Sequence, residues 1–195
     1  MSRDIKITTL RGKKLVVFLA TISLGVVMLY AGKNSITLAT NNAGTNTRGV
    51  THRVVKVLDG DTAEIDINGQ VKKVRFIGMD TPEVHDPRKP VQCYGREASA
   101  RGHELLEGKM VGIEYDQIVG ETDKYSRTLA YIILPSGEIY NQKMIAEGYA
   151  HEYTYQGQAY KYQSNFKQAE VSAKSLGLGF WGASTCKGDT KQTAK

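Results

Sequence analysis

Residues 54–83 read VVKVLDGDTAEIDINGQVKKVRFIGMDTPE, and they contain the clearest strand pattern of the sequence. From 63 to 67, apolar residues alternate with charged ones, which is the period of a half-buried strand. Asn68-Gly69 interrupts this run, and Val71 begins another. Asn-Gly between two such runs is typical of a two-residue β-hairpin turn. The stretch therefore predicts antiparallel strands joined by a tight turn.

The rest of the chain adds strands and helices in a recognisable order. Apolar spacing predicts helices at 94–108, 139–148 and 162–177, and strands at 111–115 and 128–134. Five short strands with a helix after the third, followed by further helices, match an OB-fold. The sequence therefore predicts an α+β domain, an OB-fold five-stranded β-barrel with three helices.

An N-terminal leader precedes this domain. Lys13-Lys14 is followed by the seventeen uncharged residues 15–31, a pattern typical of export signals. The apolar stretch is long for a signal and short for a membrane span of about 20 residues, so both alternatives stay open. The predicted segments are a signal peptide or anchor at 1–33, a flexible linker at 34–50, the domain at 51–187 and a disordered tail at 188–195.

The basic character of the chain comes largely from the leader. The full sequence has 26 Lys+Arg and 20 Asp+Glu, for a net charge of +6. Residues 1–33 contain six of the basic residues and one of the acidic ones, which leaves 20 against 19 in the remainder. Bulk charge alone therefore does not point to a nucleic-acid surface.

Two cysteines in an exported chain predict a disulfide between Cys93 and Cys186, with two free thiols as the alternative. We expect loss of this bridge to lower stability without changing the activity of the folded protein. The four histidines have no metal-ligand spacing, and we interpret them as surface residues: His52, His85, His103 and His151.

Three polar clusters at 59–62 (DGDT), 80–83 (DTPE) and 123–127 (DKYSR) carry the candidate chemistry. Each alone is typical of an ordinary turn. Together they contain everything that hydrolysis of a phosphodiester requires: metal ligands, a base for the attacking water, and positive charge for the phosphate. The absence of a Cys/His set with zinc spacing favours Ca²⁺ or Mg²⁺ over zinc.

Each candidate residue has a role that fits its chemistry. Asp61 and Asp80 supply the hard oxygen ligands that these cations prefer. Glu83 lies three residues after Asp80, close enough to act on a water beside the metal. Arg75 and Arg127 carry planar, permanently charged guanidinium groups, which bind phosphate through two hydrogen bonds.

Residues 54–181 resemble the staphylococcal nuclease (thermonuclease) family over nearly their whole length. The resemblance rests on DGDT, on VRFIGMDTPE with Arg75, on DKYSR, on YGREA at 94–98 and on GFW at 179–181. It implies a barrel that binds one Ca²⁺ and cleaves DNA and RNA, leaving 3′-phosphates. By motif position, Asp61 and Asp80 would bind Ca²⁺ with the backbone carbonyl of Thr81.

The resemblance also implies residues that contact the nucleotide. Lys124 and Tyr125 would contact the neighbouring phosphate. A tyrosine after the second helix would stack on a base, an interaction worth about 1–3 kcal/mol. The matching stretch offers Tyr153 first and Tyr155 second.

The sequence thus predicts an exported, monomeric Ca²⁺-dependent nuclease that acts on DNA and RNA, with catalytic residues Arg75, Glu83 and Arg127. Residues 15–31 could attach it to a membrane. The alternative is a non-catalytic nucleic-acid-binding OB-fold module. A decayed copy would be expected to lack Asp61, Glu83 or an arginine, and this chain has all of them.

The leader generates a first prediction. We expect cleavage after the small-x-small motif Thr37-Leu38-Ala39, so the mature protein should begin near Thr40. N-terminal sequencing of protein recovered from producing cells measures this directly. Recovery in the membrane fraction with an N-terminus near Met1 would instead identify an uncleaved anchor.

Overall fold

The computed structural model describes residues 51–85 and 90–194. The predicted leader at 1–33 and linker at 34–50 lie outside these residues, as does Lys195. Within the described part of the chain, no helix has the length and apolar composition needed to cross a membrane.

Five strands of the described region close into a barrel: β1 Thr51–Asp59, β2 Thr62–Ile67, β3 Gln70–Phe76, β5 Met110–Glu114 and β6 Thr128–Ile133. Their order around the barrel is β1-β2-β3-β6-β5. The pairs are antiparallel except β3 with β6, which is parallel, and β5 closes the barrel against β1. Two shorter strands, β4 Met79–Asp80 and β7 His151–Glu152, pair outside it.

Three α-helices in the described residues accompany the barrel: α1 Gly95–Leu106, α2 Tyr140–Ala146 and α3 Gln163–Leu176. Short 3₁₀ turns occupy Tyr155–Gly157 and Gly179–Trp181. Helix α1 separates the third and fourth barrel strands along the chain. The predicted α+β class, the five-stranded barrel and the three helices are therefore confirmed.

The hairpin between β2 and β3 forms as its sequence predicts. Asn68 and Gly69 have φ of 56° and 82°, the left-handed region that an Asn-Gly turn adopts readily. The amide of Gly69 also donates to Oδ1 of Asp66 at 2.8 Å. This turn fixes the register that pairs Thr62 with Arg75, so Arg75 lies beside the DGDT turn.

The barrel interior and the helices share one apolar core. Its largest fully buried side chains include Phe76, Tyr131, Tyr140 and Phe166. The hydroxyl of Tyr140 on α2 donates to the backbone carbonyl of Gly60 at 2.7 Å. Core packing therefore holds α2 directly beneath the DGDT turn.

Two sequence expectations differ from the structure. Residues 188–194, predicted as a disordered tail, pack against the domain: Thr190 is buried, and Thr193 forms an antiparallel bridge with Gln92. The predicted surface residue His151 packs 4.4 Å from the ring of Phe180 and 5.1 Å from that of Trp181, centroid to centroid. Both features depend on contacts between distant segments, which local sequence patterns do not encode.

Cys93 and Cys186 form a disulfide that spans 93 residues, with Cα atoms 6.0 Å apart. A cross-link over a loop of that length restricts the unfolded chain by roughly 4–5 kcal/mol in a chain-entropy account. We therefore expect a dithiol reductant to lower the melting temperature by about 10 °C. Thermal unfolding followed by circular dichroism, with and without reductant, measures this. An unchanged melting temperature in protein shown by mass spectrometry to be fully reduced would contradict it.

Candidate active site

A groove of about 470 Å³ runs between the end of β3, the 122–127 turn and the segment after β7. Seven of the residues singled out from the sequence line it: Arg75, Asp80, Lys124, Tyr125, Arg127, Tyr153 and Tyr155. Asp61, Thr81 and Glu83 are not among its lining residues but lie on the adjoining turns. The fold therefore brings the three sequence clusters to one end of the barrel.

Arg75 joins two of these clusters. Its Nη1 lies 3.1 Å from Oδ2 of Asp61, and its Nη2 lies 2.7 Å from Oδ1 of Asp80. Nη1 also donates to the backbone carbonyl of Met79 at 2.9 Å. The side chains of Arg75 and Asp61 are each 13% exposed, whereas that of Asp80 is 51% exposed. One guanidinium therefore holds two carboxylates from different loops.

Thr81 fixes the orientation of Asp61. Its backbone amide and its hydroxyl donate to Oδ2 of Asp61 at 3.2 and 3.1 Å. Oδ1 of the same carboxylate accepts the hydroxyl of Thr62 at 2.8 Å. Asp61 is thus held by hydrogen bonds on both oxygens, which fixes its direction at the edge of the groove.

The carboxylates of this region repel one another in a partly buried environment. Burial, with repulsion from Asp61 next, raises the pKa of Asp59 to about 7. Burial also raises the pKa of Asp80, against the opposing effect of Arg75. Concentrated negative charge of this kind favours a bound cation.

The donor set suits a hard cation but is sparse. Among the described residues, no three His, Cys, Asp or Glu side chains converge on one point where they could hold a metal. The candidate ligands are therefore the two carboxylates of Asp61 and Asp80. Oδ2 of Asp80 makes no hydrogen bond to a described residue. Because Asp80 is half exposed and both groups are oxygen donors, they fit an ion such as Ca²⁺ whose remaining ligands are carbonyl oxygens and water.

Glu83 is half-buried on the loop that follows β4. Its Oε1 accepts the backbone amides of Val84 at 2.9 Å and of His85 at 2.7 Å. Its own amide donates to the side chain of Gln92 at 2.8 Å. Glu83 is also close enough to Asp59 to raise the pKa of that carboxyl. The structure therefore places Glu83 beside the carboxylate cluster.

Arg127 is oriented by Asp123 within one tight turn. Oδ2 of Asp123 accepts Nε of Arg127 at 2.7 Å, and Oδ1 accepts the amides of Tyr125 and Arg127, both at 2.9 Å. Burial opposes ionisation of Asp123, but these hydrogen bonds prevail and lower its pKa. Within the part of the chain that the structure describes, Nη1 of Arg127 has no acceptor. Nη1 of Arg127 can therefore donate to a ligand in the groove.

Three tyrosines present exposed rings at the groove. Tyr125 is 68% exposed, and Nζ of Lys124 lies 5.0 Å from its centroid. Tyr153 and Tyr155 are 43% and 45% exposed, with centroids 6.4 Å apart. The structure thus brings both predicted stacking candidates to the same groove and does not favour one over the other.

Sequence reasoning gave no role to three residues that shape this site: Asp59, Gln92 and Asp123. The two aspartates stand inside the DGDT and DKYSR motifs, so their place in a motif was the available signal. Gln92 stands in no motif, and its contact with Glu83 spans nine residues. No sequence pattern predicts the contact between Gln92 and Glu83.

Residues 73–183 match the family described as staphylococcal nuclease homologue. The chain is 41% identical over 136 residues to the thermonuclease of Staphylococcus hyicus, covering 70% of this chain and 78% of that protein. It is 41% identical over 139 residues to the thermonuclease of Staphylococcus intermedius, covering 71% and 80%. It is also 38% identical over 127 residues to the SPbeta prophage-derived endonuclease YokF of Bacillus subtilis, covering 65% and 42%.

The matched region runs from β3 through the last 3₁₀ turn, so it contains Arg75, the DTPE loop and the DKYSR turn. The two thermonuclease alignments extend over about four-fifths of those proteins. Both findings agree with the resemblance drawn from the motifs, and this chain belongs to the staphylococcal nuclease family.

Proposed function

We propose that this chain is a Ca²⁺-dependent nuclease that hydrolyses phosphodiester bonds of DNA and RNA and leaves 3′-phosphates. Its family and its similarity to thermonucleases and endonucleases make it a nuclease hydrolase. The observation that carries the finer proposal is the pairing of Arg75 with both Asp61 and Asp80 at a groove that Arg127 also lines.

Arg75 and Arg127 bind the phosphate in this proposal. Negative charge on the phosphate oxygens grows as water attacks phosphorus, and a guanidinium can donate two parallel hydrogen bonds to those oxygens. Asp123 holds Arg127 by one edge, which leaves Nη1 for the substrate. Arg75 would turn part of its hydrogen bonding from Asp61 and Asp80 to the phosphate when a cation balances those carboxylates.

Glu83 accepts the proton of the attacking water. Its carboxylate is fixed by amides of its own loop, which limits its motion relative to the groove. A positioned general base typically contributes about 10²–10⁴-fold to rate. Glu83 lies on the DTPE loop three residues after Asp80, so the base and one of the metal ligands share one short segment.

Asp61, Asp80 and the backbone carbonyl of Thr81 would hold Ca²⁺. When bound, the ion supplies positive charge to the phosphate and lowers the pKa of its water ligands. The fit rests on the hard oxygen donors described above and on the repulsion among the carboxylates. The hydrogen bonds from Thr81 to Asp61 keep the two loops in register for this purpose.

Lys124 and Tyr125 contact the phosphate next to the scissile one, and Tyr153 or Tyr155 stacks on a base. Their exposure at the groove supports these roles. Stacking tolerates any base, which agrees with action on both DNA and RNA. We further propose that the enzyme is exported, acts as a monomer without a stable protein partner, and either loses its leader by cleavage after Ala39 or keeps it as an anchor.

The metal assignment can be tested by removing one ligand charge at a time. Asp61→Asn or Asp80→Asn should weaken Ca²⁺ binding by about tenfold or more, because affinity of a hard-cation site follows the charge of its ligands. Isothermal calorimetry measures the affinity, and a melting curve checks the fold. Asp66→Asn is the matched control, since it keeps the Oδ1 acceptor of the hairpin turn far from the groove. If Asp61→Asn and Asp80→Asn both bind Ca²⁺ as tightly as the parent does, the assignment is wrong.

The catalytic roles can be tested by separating turnover from affinity. Glu83→Gln should lower the single-turnover cleavage rate by about 10²-fold or more and leave DNA affinity nearly unchanged. Arg127→Lys keeps the charge and loses the planar fork, so it should also lower the rate strongly. Filter binding at one fixed salt concentration measures affinity, because phosphate contacts are salt-dependent.

Glu97→Gln on the exposed face of α1 controls for a change of one carboxylate in the same region of the chain. A non-catalytic binding module would respond in the opposite way: arginine variants would lose affinity, and Glu83→Gln would have no effect on any background cleavage. Parent cleavage rates in Glu83→Gln would show that Glu83 is not the base.

A further inference from the structure

The C-terminal segment, residues 186–194, is attached to the chain next to the Glu83 loop at several points. Its first residue forms the disulfide with Cys93. The amide of Cys93 donates to the carbonyl of Gln192 at 2.8 Å, and the amide of Ala194 donates to that of Val91 at 2.8 Å. These bonds flank the antiparallel bridge between Gln92 and Thr193. The C-terminal segment therefore acts as an added strand along residues 91–93.

The C-terminal segment is also held together internally. The side-chain amide of Gln192 donates to the carbonyls of Cys186 and Asp189, both at 2.8 Å. These bonds fold the segment back from the disulfide toward its bridge with Gln92. The disulfide and the added strand thus belong to one closed structure.

Gln92 connects this structure to the proposed base. The side-chain Oε1 of Gln92 accepts the backbone amide of Glu83 at 2.8 Å, and the backbone amide of Gln92 donates to the backbone carbonyl of Glu83 at 2.9 Å. The start of α1 packs on the same loop: a Cβ added at Gly95 would lie 2.9 Å from Cγ2 of Val84. Gln92 therefore binds the backbone of Glu83 through two hydrogen bonds, and Gln92 itself is paired with the C-terminal segment.

A second contact reaches the other side of the site. Oγ1 of Thr190, which is buried, lies 3.1 Å from Nε2 of His151. His151 pairs with Asp80 where β7 meets β4, and its Nδ1 lies 3.5 Å from Oε1 of Glu170. The C-terminal segment therefore touches both the strand beside Asp80 and the residue that holds Glu83.

We propose that Gln92 is a positioning residue for Glu83, and that the C-terminal segment, closed by the Cys93–Cys186 disulfide, keeps Gln92 in place. The bridge then controls turnover as well as stability, whereas the sequence alone led us to expect an effect on stability only. This inference rests on the proposed role of Glu83 as the base. A displacement of about 1 Å at a reacting group can cost 10²-fold in rate, so loosening the contacts of Gln92 is expected to matter.

The first experiment removes the acceptor of Gln92 in the full-length, oxidised protein. Gln92→Met keeps the length of the side chain and removes Oε1, so kcat should fall about tenfold or more while KM stays within about twofold. Gln92→Glu restores an acceptor for the Glu83 amide and should recover most of kcat. Gln70→Met, at the exposed start of β3, is the matched control and should behave as the parent.

The second experiment opens the disulfide. A dithiol thiolate attacks one sulfur of the bridge, the S–S bond breaks, and two protein thiols form as the reagent closes to a cyclic disulfide. At a temperature where melting curves show the reduced protein folded, reduction should lower kcat of the parent about as much as Gln92→Met does. It should lower kcat of Gln92→Met little further, because both changes break the same connection.

The two experiments together decide the proposal. The proposal is wrong if Gln92→Met has the same kcat as the parent, or if Gln70→Met loses as much kcat as Gln92→Met does. It is also wrong if reduction lowers kcat of Gln92→Met by the same factor as it lowers kcat of the parent. If the reduced protein does not stay folded, the oxidised Gln92→Met and Gln92→Glu pair still decides the role of Gln92. Cleavage by the oxidised parent tests the proposed function separately, so failure of this inference and failure of that function are distinguishable.

Discussion

The bond network of Arg75 is the interaction on which the site depends. The side chain of Arg75, which is 13% exposed, contacts two carboxylates: that of Asp61 in the β1–β2 turn and that of Asp80 at the end of β4. An unpaired carboxylate or guanidinium at this depth would cost roughly 3–5 kcal/mol. Arg75 and Asp61 therefore stay paired, and the half-exposed Asp80 adds a second carboxylate to the same guanidinium. The same requirement creates a place where a cation and a phosphate can share the carboxylates and the guanidinium.

The barrel makes this network possible through register. The Asn68-Gly69 turn pairs Thr62 with Arg75, and the parallel pairing of β3 with β6 sets Arg75 opposite Leu129, two residues after Arg127. A slip of one residue in either pair would turn Arg75 to the other face of its strand. Both arginines thus face one groove because of hydrogen bonding in the barrel, while Asp123 in the DKYSR turn orients Arg127.

Much of this could be predicted from local sequence signals. The Asn-Gly hairpin, the helix spacings and the three polar clusters are encoded within short windows, and the barrel and the helices follow from them. The packed C-terminal segment was not predictable, because its residues are polar and its strand partner at 91–93 lies about a hundred residues earlier. The environment of His151 and the contact between Gln92 and Glu83 also join distant segments. Of these, the contact of Gln92 lies directly at the candidate base.

We infer that Arg75, Arg127, Asp61 and Asp80 form one phosphate and cation site. The most direct measurement is a crystal structure of the protein grown with Ca²⁺ and a mononucleotide. We expect one ion bound by carboxylate oxygens of Asp61 and Asp80, with the nucleotide phosphate within hydrogen-bond distance of Arg75 and of Nη1 of Arg127. An ion bound elsewhere, or a phosphate outside this groove while Arg75 keeps both carboxylates, would contradict it.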